Sequence, residues 1–143
     1  EMDPSYFAEL YVMRADGSDL RRLTNSPGYD GGPFFLPDGK GIVYGQMEIH
    51  RSVYDYSDLF RLELGTRRVR RLTYGLRVRE PDVSPDGRWI AYRSNETGDS
   101  EIYVRSTQGP GKWQISDGGG WQPLWSGDGR TLFFRSREGL QAV

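Results

Sequence analysis

The chain has 143 residues, with 19 Lys or Arg against 20 Asp or Glu, one His and no Cys. A formal net charge of −1 supplies no general field for nucleic acid or an anionic membrane. No stretch approaches the roughly eighteen apolar residues a membrane-spanning helix needs, and the lack of cysteine excludes disulfides and thiolate metal sites while leaving the redox compartment open.

Residues 1–5 read as a lead-in, and Glu1-Met2-Asp3-Pro4 has neither the basic nor the apolar region of a secretory signal, though one could have been removed. Tyr6 to Met13 reads as a strand, Ala15-Asp16-Gly17-Ser18 as a turn, and Leu20 to Thr24 as the next strand. A loop rich in Pro and Gly, Asn25 to Gly32, leads to GGPFFLPDGKGIVYG at Gly31 to Gly45. That pattern returns as REPDVSPDGRWIAYR at Arg79 to Arg93 and WQPLWSGDGRTLFFR at Trp121 to Arg135. In Ser84-Pro85-Asp86-Gly87, Pro85 presets φ, Asp86 tolerates the bridge region and Gly87 supplies positive φ. A type I turn followed by a left-handed Gly predicts a hairpin with a bulge, so the flanking runs are antiparallel strands. Gly127 replaces the Pro of the third copy and can still make the turn.

A third and a fourth apolar run follow each hairpin. The third is Leu10 to Met13, Leu59 to Leu62 and Ile102 to Val104; the fourth ends in Leu23-Thr24, Leu72-Thr73 and Ile115-Ser116. Spacings of 49 and 43 residues between Leu23, Leu72 and Ile115, with four short strands each, are the signature of propeller blades. No window has helical periodicity. The expected class is therefore all-β: a β-propeller of four-stranded antiparallel blades in one domain over 1–143. It divides into a half blade at 6–25, blades at 31–74 and 79–117, and a half blade at 121–136. Gln46 to Ser57 is expected as a connecting loop and 137–143 as a tail. Three blade-equivalents are half of a six-bladed ring, so two copies are expected to join as a homodimer. The C-terminal strand pair of one would complete a blade with the N-terminal pair of the other. The alternative is a piece of a longer six-bladed chain.

The segments ELYVMRADGSDLRRLTNSPGYDGGPFFLPDG (Glu9 to Gly39) and REPDVSPDGRWIAYRSNETGDSEIYVRS (Arg79 to Ser106) resemble the TolB-type, WD-like propeller repeat of bacteria. The resemblance implies six blades about a central channel and suggests a periplasmic or extracytoplasmic place. It leaves function open, because such propellers include an envelope Tol-Pal protein, sensory domains of kinases and gates of peptidases.

The longer connections share one face of the expected ring. That face carries Tyr29, Asp30, Tyr54, Tyr56, Arg77, Arg79, Glu80, Trp121 and Gln122, aromatic and polar groups suited to gripping a protein or peptide. Glu80 and Gln122 are expected at the channel mouth, where the innermost strands begin. His50 is the one histidine, no G-x-S-x-G elbow exists, and no catalytic, cofactor or metal constellation is expected. Asp30 could take a cation with loop carbonyls but is expected to accept backbone N–H bonds in a turn. Asp38, Asp86 and Asp128 are turn residues. The Arg67-Arg68-Val69-Arg70-Arg71 run is expected to guard an outer edge strand and not to bind nucleic acid. Asn95-Glu96-Thr97 fits a glycosylation sequon, of consequence only in a eukaryotic secretory host. The expected function is a non-enzymatic scaffold that binds a partner through its loop face. The alternatives are a structural or engineered half-propeller without ligand, and an accessory or gating propeller of a hydrolase or lyase.

Overall fold

A computed structural model describes residues 7–50, 53–74 and 77–143, with the backbone alone for 48–50 and 53–56. Every strand ladder is antiparallel, and no helix occurs among the described residues. The first sheet pairs β1 (Tyr11–Val12) with β2 (Arg21–Arg22). The second runs in order through β3 (Tyr29–Phe35), β4 (Gly41–His50), β5 (Val53–Glu63) and β6 (Val69–Arg71). The third repeats this with β7 (Arg79–Val83), β8 (Trp89–Ser94), β9 (Glu101–Ser106) and β10 (Lys112–Gln114). The last holds β11 (Trp121–Trp125), β12 (Leu132–Ser136) and β13 (Gly139–Ala142).

The P-D-G turns form for the reasons legible in their residues. Gly39, Gly87 and Gly129 have φ of 66°, 71° and 69°, where Gly carries no Cβ penalty. Each aspartate stiffens its turn: Asp38, Asp86 and Asp128 accept the N–H of Lys40, Arg88 and Arg130 at 2.9, 3.0 and 3.1 Å. Gly127 does not disturb the third copy, since Gly129 N still reaches Ser126 O at 2.9 Å. Successive turns touch: a Cβ on Gly87 would lie 3.2 Å from Pro37, and one on Gly129 would lie 3.3 Å from Pro85.

Three apolar seams join the four sheets. Leu10 meets Ile42, Tyr44 and Leu62; Leu36, Val43, Leu59 and Leu72 meet Val78, Ile90, Tyr92 and Tyr103; Ala91, Ile102 and Val104 meet Leu132 and Phe134. Burying such side chains stabilises each seam by about 25 cal/mol per Å² removed from water. The first strands β3, β7 and β11 lie against one another in succession, which makes them the inner edge of the array.

Two expectations fail. Gln46 to Ser57 is not a loop: β4 and β5 continue as a ladder through Gln46↔Asp58, Met47↔Ser57, Glu48↔Tyr56 and His50↔Val53. The segment between Gln46 and Glu63 contains neither Gly nor Pro, so nothing stops the hairpin from zipping outward. Residues 137–143 are not a tail. Gly139 turns the chain at φ 116°, and β13 pairs with β12 through Phe133↔Ala142, Phe134↔Gln141 and Arg135↔Leu140. The first and last sheets therefore do not have matching vacancies. Among the described residues the first sheet holds two strands and the last three, so the two do not add up to one four-stranded blade.

Candidate binding site at the ends of the innermost strands

Each innermost strand begins with the same irregularity. The ladder slips between Gly31 and Phe34, between Arg79 and Asp82, and between Trp121 and Leu124. Inside each slip one residue is left-handed: Gly32 at φ 60°, Glu80 at 54° and Gln122 at 51°. Glycine takes this conformation freely, whereas Glu80 and Gln122 do so at a cost of about 1–2 kcal/mol each.

Side-chain bonds hold the strained pair. Glu80 Oε2 accepts the Gln122 N–H of the next sheet at 2.8 Å, and Glu80 Oε1 lies 3.6 Å from Arg93 Nη1. Gln122 Oε1 in turn lies 3.4 Å from Arg135 Nη1. Further along β7, Asp82 Oδ2 accepts the Trp125 N–H at 2.7 Å. Burial raises the Asp82 pKa, and the N–H groups of Trp125 and Val83 only partly offset it. These carboxylates are committed to joining β7 to β11.

Exposed groups surround the slips. Arg79 pairs across the ladder with Arg93, and half-buried Trp121 pairs with Arg135. Tyr29 is exposed and lays its ring over Gly31, where a Cβ would come within 2.4 Å of it. Tyr29, Arg79, Glu80, Trp121 and Gln122 thus share the starts of the three inner strands. Arg77 sits just before β7, exposed, with its backbone bridged to Ser57. Asp30 is displaced from this face: it is buried and accepts the Ser26 hydroxyl at 2.7 Å, instead of backbone N–H groups in a turn. Tyr54 and Tyr56 lie on strand β5 and not in a loop, and their side chains fall outside the described residues, as does that of His50. Arg93 and Arg135 escaped the sequence reading because they lie inside strands; their place opposite Arg79 and Trp121 was the available signal.

A second feature was also missed. An acid precedes the first apolar residue of the third strand: Glu9-Leu10, Asp58-Leu59 and Glu101-Ile102. The hydroxyl after the fourth strand closes on it. Leu10, Leu59 and Ile102 donate N–H to Thr24, Thr73 and Ser116 at 2.9, 2.9 and 2.8 Å. Thr73 donates to Asp58 at 2.6 Å, and Ser116 donates to Glu101. The last sheet has Gly139 at this place and no such latch.

Among the described residues, no three His, Cys, Asp or Glu gather closely enough to cage a metal. No family model matches the chain. An uncharacterised protein of Agrobacterium fabrum is 34% identical over 131 residues, covering 89% of this chain and 42% of that protein. The structure of a putative TolB from Agrobacterium tumefaciens superposes with a TM-score of 0.74 at 32% identity, covering 88% of this chain and 44% of that one. TolB from Acinetobacter baumannii gives a TM-score of 0.78 at 23% identity over 94% of this chain and 34% of its own, a likeness of fold alone. The chain spans less than half the length of each of these relatives. With their first strands touching in succession and these solved structures matched in fold, the sheets are β-propeller blades. They are blades of the TolB-like kind, in agreement with the resemblance carried by the repeats.

Proposed function

We propose that this chain is a non-enzymatic TolB-like scaffold that binds a protein or peptide across the starts of its innermost strands. One observation carries the reading: two non-glycine residues, Glu80 and Gln122, are held left-handed at the channel-mouth end of β7 and β11. Strain of this kind gathers at functional sites. Glu80 also joins β7 to β11, but the bulge itself forms without such a side chain, since Gly32 fills the equivalent place in the second sheet without strain. Beside them, Arg79 and Trp121 offer a guanidinium and an indole on a rigid frame, the residue types that dominate binding hot spots.

The carboxylates argue against acid–base catalysis. Glu80 and Asp82 are engaged by backbone N–H groups, and Asp30 is buried away from the mouth. Homodimeric closure of the ring is the finer part of the reading. Exposed Tyr11, Met13 and Leu20 on the first sheet and Leu124 and Leu140 on the last favour a covering neighbour. In its strand-sharing form, a second copy must displace β13 from β12, so β13 counts against that form. A solution mass of one chain at micromolar concentration would remove dimeric closure without touching the binding site. The site is tested by pull-down with the intact protein and with Arg79→Ala/Trp121→Ala, folding being checked by melting. Loss of the captured partner is expected; full capture by a folded double variant contradicts the reading.

A further inference from the structure

The entry to the second sheet differs from its two counterparts. In each, one N–H reaches back to the chain before a third strand: Asp30 N to Ala8 O at 2.9 Å, Val78 N to Ser57 O at 3.0 Å and Gly120 N to Ser100 O at 2.7 Å. Two of these residues are apolar or glycine. Asp30 alone brings a carboxylate, and it is only 2% exposed.

Asp30 stands beside the latch acid Glu9. The charge of Glu9 raises the Asp30 pKa, after the larger effect of burial, and Thr24 and Ser26 act on both carboxylates. Asp30 Oδ2 takes the Ser26 hydroxyl and Glu9 Oε1 takes Arg22 Nη2 at 2.6 Å. The second oxygen of each, Asp30 Oδ1 and Glu9 Oε2, is enclosed and makes no hydrogen bond. The latch acids of the other sheets leave no oxygen idle. Glu101 takes Ser116 Oγ and the Gly119 N–H, and Asp58 takes Thr73 Oγ1 and Arg71. Donors stand near, the Thr24 hydroxyl and Ser26 N–H by Glu9 and the Ser26, Thr24 and Gln46 side chains by Asp30. None closes a hydrogen bond on these two oxygens, and enclosed anionic oxygens left so are costly unless something positive sits between them.

The surroundings supply only hard ligands. Thr24 and Ser26 contribute hydroxyls, and the chain has no cysteine; the Gln46 amide acts on Asp30 as a donor and is not counted as a ligand. We propose that Glu9 and Asp30 bind a divalent cation of the Ca²⁺ class between their idle oxygens, with neighbouring oxygens and water completing the shell. Such an ion would staple the first sheet to the start of β3, the job that Val78 and Gly120 do by packing. Only two carboxylates contribute, and Arg22 draws on one of them. The affinity therefore falls at the weak end for calcium modules, about 10⁻⁴–10⁻³ M.

The test uses the intact protein. Melting at about 5 mM CaCl₂ should exceed melting in NaCl of equal ionic strength by roughly 3 °C. Tb³⁺ emission excited through the nearby Tyr44 should saturate and be displaced by Ca²⁺. Asp30→Asn and Glu9→Gln should each abolish both responses, and Glu101→Gln should keep them even if it melts lower. No Ca²⁺ shift and no saturable Tb³⁺ emission would overturn the site, as would responses that survive in Asp30→Asn. A melting point that rises on acidification but ignores Ca²⁺ would mean that a shared proton fills the gap, which also overturns it.

Discussion

The first three sheets and the last solve the same problem differently. In the first three, the third strand opens with an acid, and the Thr or Ser after the fourth strand closes on it. In the last, Gly139 stands where Glu101 stands in the third sheet, and the sheet ends at β13. The fourth strands are only two or three residues long, too short to be secured by ladder bonds alone. The outermost strand is therefore held by a buried polar latch at its end as much as by pairing along its length.

Breaking the latch should give the largest effect. Glu101→Ala strands the Ser116 hydroxyl and the Gly119 N–H in a buried place, at a cost of about 3 kcal/mol. Urea unfolding should register that loss, and β10 amides should exchange faster than β8 amides. An equal loss of protection across the sheet would mean that the latch does not act on the fourth strand.

A smaller effect follows from Asp82. Its folded pKa is raised, so its contribution is fully present below the unfolded value and is lost as pH rises through the folded one. Asp82→Asn keeps an acceptor for Trp125 N–H and should melt above the parent at neutral pH, with the gap closing as pH falls toward 4. Asp86 has the opposite sign. The Ser84 hydroxyl, followed by the Arg88 N–H and guanidinium, lowers it to about 2, so its contribution is present above the unfolded value and disappears on acidification toward that pH. Asp86→Asn should therefore melt slightly below the parent at neutral pH and match it near pH 2. Melting curves of both variants against pH check the two signs together.

The smallest effect sharpens the comparison inside the seams. Tyr92 and Phe134 occupy equivalent places on β8 and β12, and the Tyr92 hydroxyl is buried without a partner. Tyr92→Phe should be neutral or stabilising by up to about 1 kcal/mol. A clear loss of stability by calorimetry would show that the hydroxyl is satisfied in solution.

Much of this was written in short-range chemistry. Pro-Asp-Gly turns dictate their own hairpins, so the first two strands of each blade could be read residue by residue. The extension of β4 and β5 was not read, because polar Glu48, His50 and Arg51 look like loop material. Polarity along a strand does not by itself oppose pairing, and Glu48 and His50 pair with Tyr56 and Val53. Strand β13 was missed because Leu140 to Val143 is too short to show alternation. The candidate site was half legible. Glu80 and Gln122 could be placed at strand starts, but their left-handed φ depends on bulges that only the ladder registers reveal. Asp30 was misplaced because its neighbours Gly28, Gly31 and Gly32 suggest a surface turn, whereas the tertiary seam buries it.

The claim that the inner-strand mouth is the binding surface is tested most directly by photo-crosslinking in cells. The crosslinker is placed at Arg79 and, as a control, at Gln108, an exposed loop residue before β10. A discrete adduct from position 79 and none from position 108 is the predicted result. No adduct from 79, or the same adduct from both positions, would contradict it.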